Sequence, residues 1–155
     1  KENNIDCIDL LNGSQEDISL KNRVIKINEI CKKHKNSILI SIHSDGFSKE
    51  QANGYSVYTS VGNTKSDQLA NVFLKNMQTY FPKHKLRRDT SDGDNDKEAN
   101  FYIIYKSICP AILIENFFMT NYRESKLLMD NNFVNRLVDC HIKSIMHVET
   151  EKVIF

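Results

Sequence analysis

The sequence predicts an α/β fold: a mainly parallel sheet flanked by helices. Two kinds of segment carry that reading. Residues 37–43 (SILISIH) and 111–114 (AILI) are short, nearly continuous apolar runs, as expected of strands covered on both faces. Between and after them lie stretches whose apolar residues recur at helical spacing. Strands alternating with helices build a layered sandwich. Two prolines and five glycines in 155 residues leave few breaks, and no composition shift marks an internal linker. The chain is one domain long, and residues 1–155 are expected to form a single domain.

Taken in order, residues 5–11 mix apolar side chains with Asp6 and Asp9 and predict a short strand, punctuated by Asn12, Gly13 and Ser14. Asp17 and Ser19 supply N-cap chemistry. Leu20, Val24, Ile27 and Cys31 then form an apolar helix face, closed by Lys32, Lys33, His34 and Lys35 at its negative dipole end. The buried run 37–43 follows, broken by Ser44, Asp45 and Gly46. Residues 54–60 (GYSVYTS) predict another strand. Ser66 is positioned to cap a helix carrying Leu69, Val72, Phe73, Met77 and Tyr80, which Pro82 ends. Residues 83–100 are polar, with a basic half and an acidic half, and predict a solvated loop. Residues 101–105 predict a short strand. Pro110 opens the second buried run, which stops at Glu115. Helices are expected over 124–129 and 133–148, the latter with Phe133, Leu137, Cys140 and Ile145 on its apolar side.

Charge narrows the function. Lys+Arg is 21 against Asp+Glu 20, a net +1, so nothing electrostatic points to nucleic acid or an anionic membrane. No apolar run approaches the ~20 residues of a membrane-spanning helix, and the first residues show no signal-peptide pattern. Lys1 is not an initiator Met, which reads as a processed, trimmed or incomplete chain. Cys7, Cys31, Cys109 and Cys140 are scattered without a CxxC or zinc-finger spacing and read as buried free thiols.

Chemistry concentrates at two strand ends. Ligands in open α/β sheets bind beyond the carboxyl ends of strands, and the two buried runs end in His43 and Glu115. If those strands are parallel neighbours, both side chains emerge at one sheet edge. Imidazole is a common zinc ligand, and a nearby glutamate can take a proton from water. Alone, each residue is more ordinarily structural: a hydrogen-bonded His, a solvated Glu. Other groups rank lower. Asp92, Asp94 and Asp96 have the alternate spacing of a calcium loop, but Lys97 stands where Gly is needed and Ile103 where the bidentate Glu is needed. The basic half, residues 83–88, could meet an anionic substrate, though a solvated loop is the simpler reading. His141 and His147, six apart, lie on different helix faces. No GxSxG elbow or phosphate-binding Gly-rich loop is present.

Two blocks add a resemblance. DISLKNRVIKINEICKKHKNSILISIHSDGF resembles the middle of the zinc-dependent N-acetylmuramoyl-L-alanine amidases, peptidoglycan-cleaving enzymes with a Rossmann-like α/β fold. Asp17, Ser19, Leu20, Arg23, Asn28, Ser41, Ile42 and His43 fit that family's pattern in order. CPAILIENFFMTNYRESKLL resembles its Pro-Ala-x-Leu-x-Glu strand and the helix after it, through Pro110, Ala111, Leu113, Glu115, Phe118, Asn121 and Leu128. GYSVYTSVGNTKSDQLA resembles the linking strand and helix of phage-like members. The resemblance runs from about Ile5 to His147.

It implies that His43 is a zinc ligand and Glu115 the catalytic glutamate. The family's zinc is held by His, Glu and His with an exchangeable water, whose pKa the metal lowers toward ~7. The bond cut is the amide between the lactyl group of N-acetylmuramic acid and L-alanine. The implied partner is peptidoglycan or its muropeptides, with no nucleic acid and no membrane. The implied setting is the cell envelope, secretion, or a phage lysin acting on the wall. The departures are specific. The family's first ligand, in Gly-His-Gly, and its second, a glutamate opening the first helix, have no match here, and Glu2 lies too close to the following strand to replace either. The expectation is a domain lacking its N-terminal β-α unit, with the other Zn2+ ligands in a preceding segment. The alternative is a metal-free relative that binds peptidoglycan or an amidase regulator. Ser44-Asp45 stands where the family has Ala-Asn, adding negative charge beside the metal position.

Overall fold

The computed structural model describes residues 5–11, 18–91 and 93–154. Asp17, Glu2, Asp92 and the punctuation at residues 12–14 therefore lie outside the described residues. The elements run α1 (Leu20–Lys33), β1 (Leu39–Asp45), β2 (Ser56–Thr59), α2 (Lys65–Tyr80), β3 (Lys97–Glu98), α3 (Tyr102–Tyr105), β4 (Ala111–Phe118), α4 (Tyr122–Leu128) and α5 (Asn131–Thr150). The strands form one sheet in the order β1-β4-β2-β3. β1 pairs parallel to β4 and β3 parallel to β2, while β2 runs antiparallel to β4.

β4 is central, and its composition explains why. Every residue from Ala111 to Phe118 is buried except Glu115. Alternation divides its side chains between two cores. Ile112 and Ile114 face one side with Val57, packing on Leu69, Val72 and Phe73 of α2 and Val148 of α5. Ala111 and Leu113 face the other with Leu39, against Val24 and Ile27 of α1 and Ile103 and Ile104 of α3. Burying Ile112 and Ile114 completely stabilises the fold by roughly 1.5–3 kcal/mol each. A third cluster gathers Tyr55, Met77, Phe81, Phe117, Leu137 and Cys140.

The helix ends follow their caps. Ser19 caps α1, accepting from Asn22 N at 3.3 Å. Asn28 fastens that helix across the fold: its amide donates to Lys106 O and its carbonyl accepts from Ile108 N, both at 3.0 Å. Thr64, not Ser66, caps α2, in a capping box with Asp67. Ser66 Oγ instead accepts from Ala111 N at 3.0 Å, tying α2 to the start of β4.

Several elements differ from expectation, each for a local reason. Residues 5–11 form no strand. Residues 102–105 form a helical turn, because Ile103 and Ile104 must both reach the α1 side of the core. Among the described residues β1 is an edge strand, and its outer half is not covered on both faces: Ile42 is 63% exposed and His43 is exposed too. β4 continues three residues past Glu115. Within the predicted loop, residues 84–87 pack inward: His84 lies edge-on to Phe117, and Arg87 sits over the Phe118 ring at 4.9 Å. Gly54 permits that approach. It has φ +102°, and a Cβ there would lie 2.2 Å from Lys85 O. All four cysteines are free, as expected, but only Cys140 is fully buried, and Cys7 is exposed.

Candidate active site

The sheet places the two strand-end residues side by side. His43 and Glu115 are register partners on the parallel strands β1 and β4. Register partners share a face, here the α1 side. Ser41, two residues before His43 on that face, lies 3.0 Å from His43 Nε2 through its Oγ. On the other flank of β4, Ser56 of β2 is the antiparallel partner of Glu115. His43, Glu115 and Ser56 thus form one row across three strands.

Two groups of the row have shifted proton affinities. Burial pushes the Glu115 carboxyl up to about 7, and the negative charge of Asp45 adds to the effect. Burial and the Arg23 charge lower the His43 imidazole below its usual range, favouring the neutral ring that binds metals. Glu115 Oε2 and Ser56 Oγ are both buried without a hydrogen-bond partner. Asp45 Oδ1 accepts from Gly46 N at 2.8 Å.

A bulge shapes this edge. Between His43 and Asp45 the register with β4 shifts, so Glu115 pairs with His43 but Phe118 pairs with Asp45. β4 holds the extra residue, and Phe117 takes φ 63°. Such a backbone costs a bulky residue about 1–3 kcal/mol. The surroundings over-determine it. Phe117 is fully buried among the rings of Tyr55, Phe81, His84 and Phe133. Asn116 Nδ2 donates to His43 O at 3.2 Å, and Ser44 Oγ donates to Asn116 O at 3.2 Å. His141 of α5 donates from Nε2 to Asn116 Oδ1 at 3.0 Å. Burial drives His141 down to about 4, so it is neutral at pH 7. Beyond the bulge, Glu124 accepts from Gly54 N at 2.9 and 3.1 Å and from Phe118 N at 2.9 Å.

For a zinc ion this edge offers one imidazole, His43, beside a glutamate with an unpartnered oxygen. A catalytic zinc takes three protein ligands and a water. Among the described residues, the grouping of three metal-ligating side chains is Asp67, Asp94 and Asp96, elsewhere in the fold. The described residues therefore do not complete a zinc centre.

Of the sequence-predicted groups, the structure brings together His43, Glu115 and Asp45. It separates the two helix histidines, with His141 buried and His147 exposed. Sequence reading missed Asn116, Ser56 and Glu124 as supports. The available signal was polar residues at positions a strand pattern buries, and Glu124 three residues after the cap Asn121.

The architecture and the strand-edge His/Glu pair define a mixed α/β domain of the kind found in cell-wall amidases. The chain belongs to the N-acetylmuramoyl-L-alanine amidase family, whose pattern it matches over residues 4–147. It is 26% identical over 174 residues to a "Putative N-acetylmuramoyl-L-alanine amidase" of Buchnera aphidicola subsp. Acyrthosiphon pisum, covering 86% of this chain and 71% of that protein. Among solved structures it resembles the N-acetylmuramoyl-L-alanine amidase from Clostridium difficile 630 (TM-score 0.75, 26% identity, 87% of this chain and 67% of that one). It also resembles the catalytic domain of CwlV, an N-acetylmuramoyl-L-alanine amidase from Bacillus (Paenibacillus) polymyxa var. colistinus. That match has a TM-score of 0.66 at 25% identity, over 89% of this chain and 68% of the other.

Proposed function

We propose that this chain acts as a peptidoglycan amidase domain, hydrolysing the amide between the lactyl group of N-acetylmuramic acid and L-alanine. The observation that carries it is the register pairing of His43 with Glu115 on one face, at the single position of β4 that is not fully buried. Family membership over residues 4–147 supports the substrate class. In this reading Glu115 accepts a proton from the attacking water. The water oxygen bonds to the carbonyl carbon, the C–N bond breaks, and Glu115 returns the proton to the departing alanine nitrogen. A carboxyl raised to about 7 is suited to both transfers near neutral pH. Asn116 and His141 hold the His43 backbone, and Ser41 orients its ring. Zinc dependence belongs to the same proposal, with His43 as one ligand. The site of action is the cell wall, outside the cytoplasm. No helix among the described residues is long and apolar enough to cross a membrane.

The one-ligand donor set favours a second reading, a domain that binds muropeptides without cutting them. Incubating the protein with purified sacculi and quantifying new alanine amino termini separates the two. Cleavage that falls at least ~100-fold in Glu115→Gln, with a cooperative melt at or above that of the unaltered protein, supports the amidase mechanism. Near-normal turnover in that variant refutes it. Tight binding with no release by the unaltered protein moves the conclusion to the binding domain.

A further inference from the structure

Among the described residues, three carboxylates outside the catalytic edge lie together. Asp67 stands in the first turn of α2, and Asp94 and Asp96 lie in the acidic half of the segment before β3. One oxygen from each lies within 4.8 Å of the others. That is the span available to two oxygens bound to one calcium at ~2.4 Å. Asp96 is 1% exposed. Its Oδ2 accepts from Thr59 Oγ1 at 2.6 Å, while its Oδ1 is buried with no donor; the group beside Asp96 is the Asp94 carboxyl, which can bond to it only by sharing a proton. Asp94 Oδ1 is likewise buried and unpartnered. Asp67 spends its oxygens on the α2 cap, accepting from Thr64 N and Thr64 Oγ1. The adjacent Lys97 turns away and donates to Tyr58 Oη at 3.1 Å. An unpaired buried carboxylate is costly, and a buried orphan oxygen calls for a ligand.

From this arrangement we infer that Asp67, Asp94 and Asp96 form a calcium site, separate from the catalytic edge, that staples residues 93–98 to α2 and β2. The donors are all hard oxygens, which suits calcium over zinc. The site is not an EF-hand, because its third carboxylate, Asp67, comes from a helix well before Asp94 in the chain. Its separateness follows from the sheet. Thr59 shares a face with Val57, which packs on α2, whereas Glu115 shares a face with Leu113, which packs on α1. Ser56 pairs with Glu115, and Thr59 stands at the far end of β2, about 10 Å along the strand. Three carboxylates, two from this segment and one from α2, place the affinity at ~10⁻⁴–10⁻³ M, the range of extracellular calcium modules.

The test is thermal melting and titration calorimetry of the chelator-treated protein with CaCl2, at matched ionic strength. Calcium at ~10 mM is expected to raise the melting temperature by about 5 °C or more for a Kd of ~0.1 mM. Asp96→Asn, which keeps the Thr59 bond, should lose that rise and the calorimetric signal. Glu115→Gln should keep both, since it touches only the other face. In calcium-free buffer Asp94→Asn should melt at or above the unaltered protein, because it relieves repulsion. A melting temperature indifferent to calcium, or a calcium response that survives Asp96→Asn, overturns the site. The cluster would then hold its charge as a carboxyl pair sharing a proton.

Discussion

Removing the Glu124 side chain should destabilise the fold severely although the residue sits on a short surface helix. The carboxylate is 5% exposed and serves two buried backbone donors, Gly54 N and Phe118 N. In Glu124→Ala both N–H groups lose their acceptor. A buried donor left unsatisfied costs about 1–3 kcal/mol. The lost methylene adds about 0.8 kcal/mol. Against this, deleting a carboxylate that burial disfavours recovers part of the sum. The net expectation is ~3–5 kcal/mol, a fall in melting temperature of about 10 °C for a chain of this length. Glu124→Gln should fall between, because its NH2 faces one of the two donors. Thermal and urea melts followed by circular dichroism measure the loss. Amide exchange should accelerate first at Gly54 and Phe118. A melting temperature within ~3 °C of the unaltered protein would refute the claim that this carboxylate fastens the start of β2 to β4.

The raised Glu115 carboxyl makes stability depend on pH with a definite sign. Between about 4.5 and 7 the folded chain keeps a proton that the unfolded chain releases, so stability falls as pH rises and levels above 7. The shift corresponds to at most about 3 kcal/mol, nearer ~1–2 kcal/mol after solvent screening of a half-buried carboxyl. Urea melts should show this slope, to which Asp96, also raised to about 7 by burial, adds with the same sign. Glu115→Gln should reduce the slope without abolishing it, and Asp45→Asn should move the Glu115 midpoint down in a carboxyl-carbon NMR titration. A midpoint that does not move in Asp45→Asn counts against the charge coupling. Asn28→Ala should cost about 1–2 kcal/mol, seen as a melting temperature a few degrees lower, by releasing α1 from Lys106 O and Ile108 N. No change would mean that water replaces both bonds.

The layered α/β architecture was legible because β4 is nearly all apolar and α2 and α5 carry strong helical periodicity. His43 and Glu115 were legible because each is the polar residue that stops an apolar run. Residues 101–105 misled because FYIIY has strand composition, and burial of the adjacent Ile103 and Ile104 on one side decided for a helical turn. The edge position of β1 was invisible, since SILISIH carries no mark distinguishing an edge strand from a central one.

The site's shape was illegible for a deeper reason. Nothing in ENFF announces a bulge, because Phe is a poor choice for a positive φ. The left-handed backbone at Phe117 is held by four rings from distant segments and by Asn116 and Glu124 on either side of it. An unbulged β4 would keep both strands in register past Glu115 and pair Phe117 with Asp45. Strict alternation would then turn Phe117 to the α1 face, alongside Leu113 and Glu115. Its packing partners stand on the opposite side, with Met77 of α2 and Leu137 of α5, and Phe117 is completely buried among them. The tertiary packing therefore selects the register shift, which sets Asp45 opposite Phe118, while the His43–Glu115 pair ahead of it stays in regular register. The aromatic core thus shapes the strand end beyond the pair, where Asp45 and Phe118 meet. A chain that lost Phe117 or its ring partners would keep the His43–Glu115 pairing and lose the bulge that follows it.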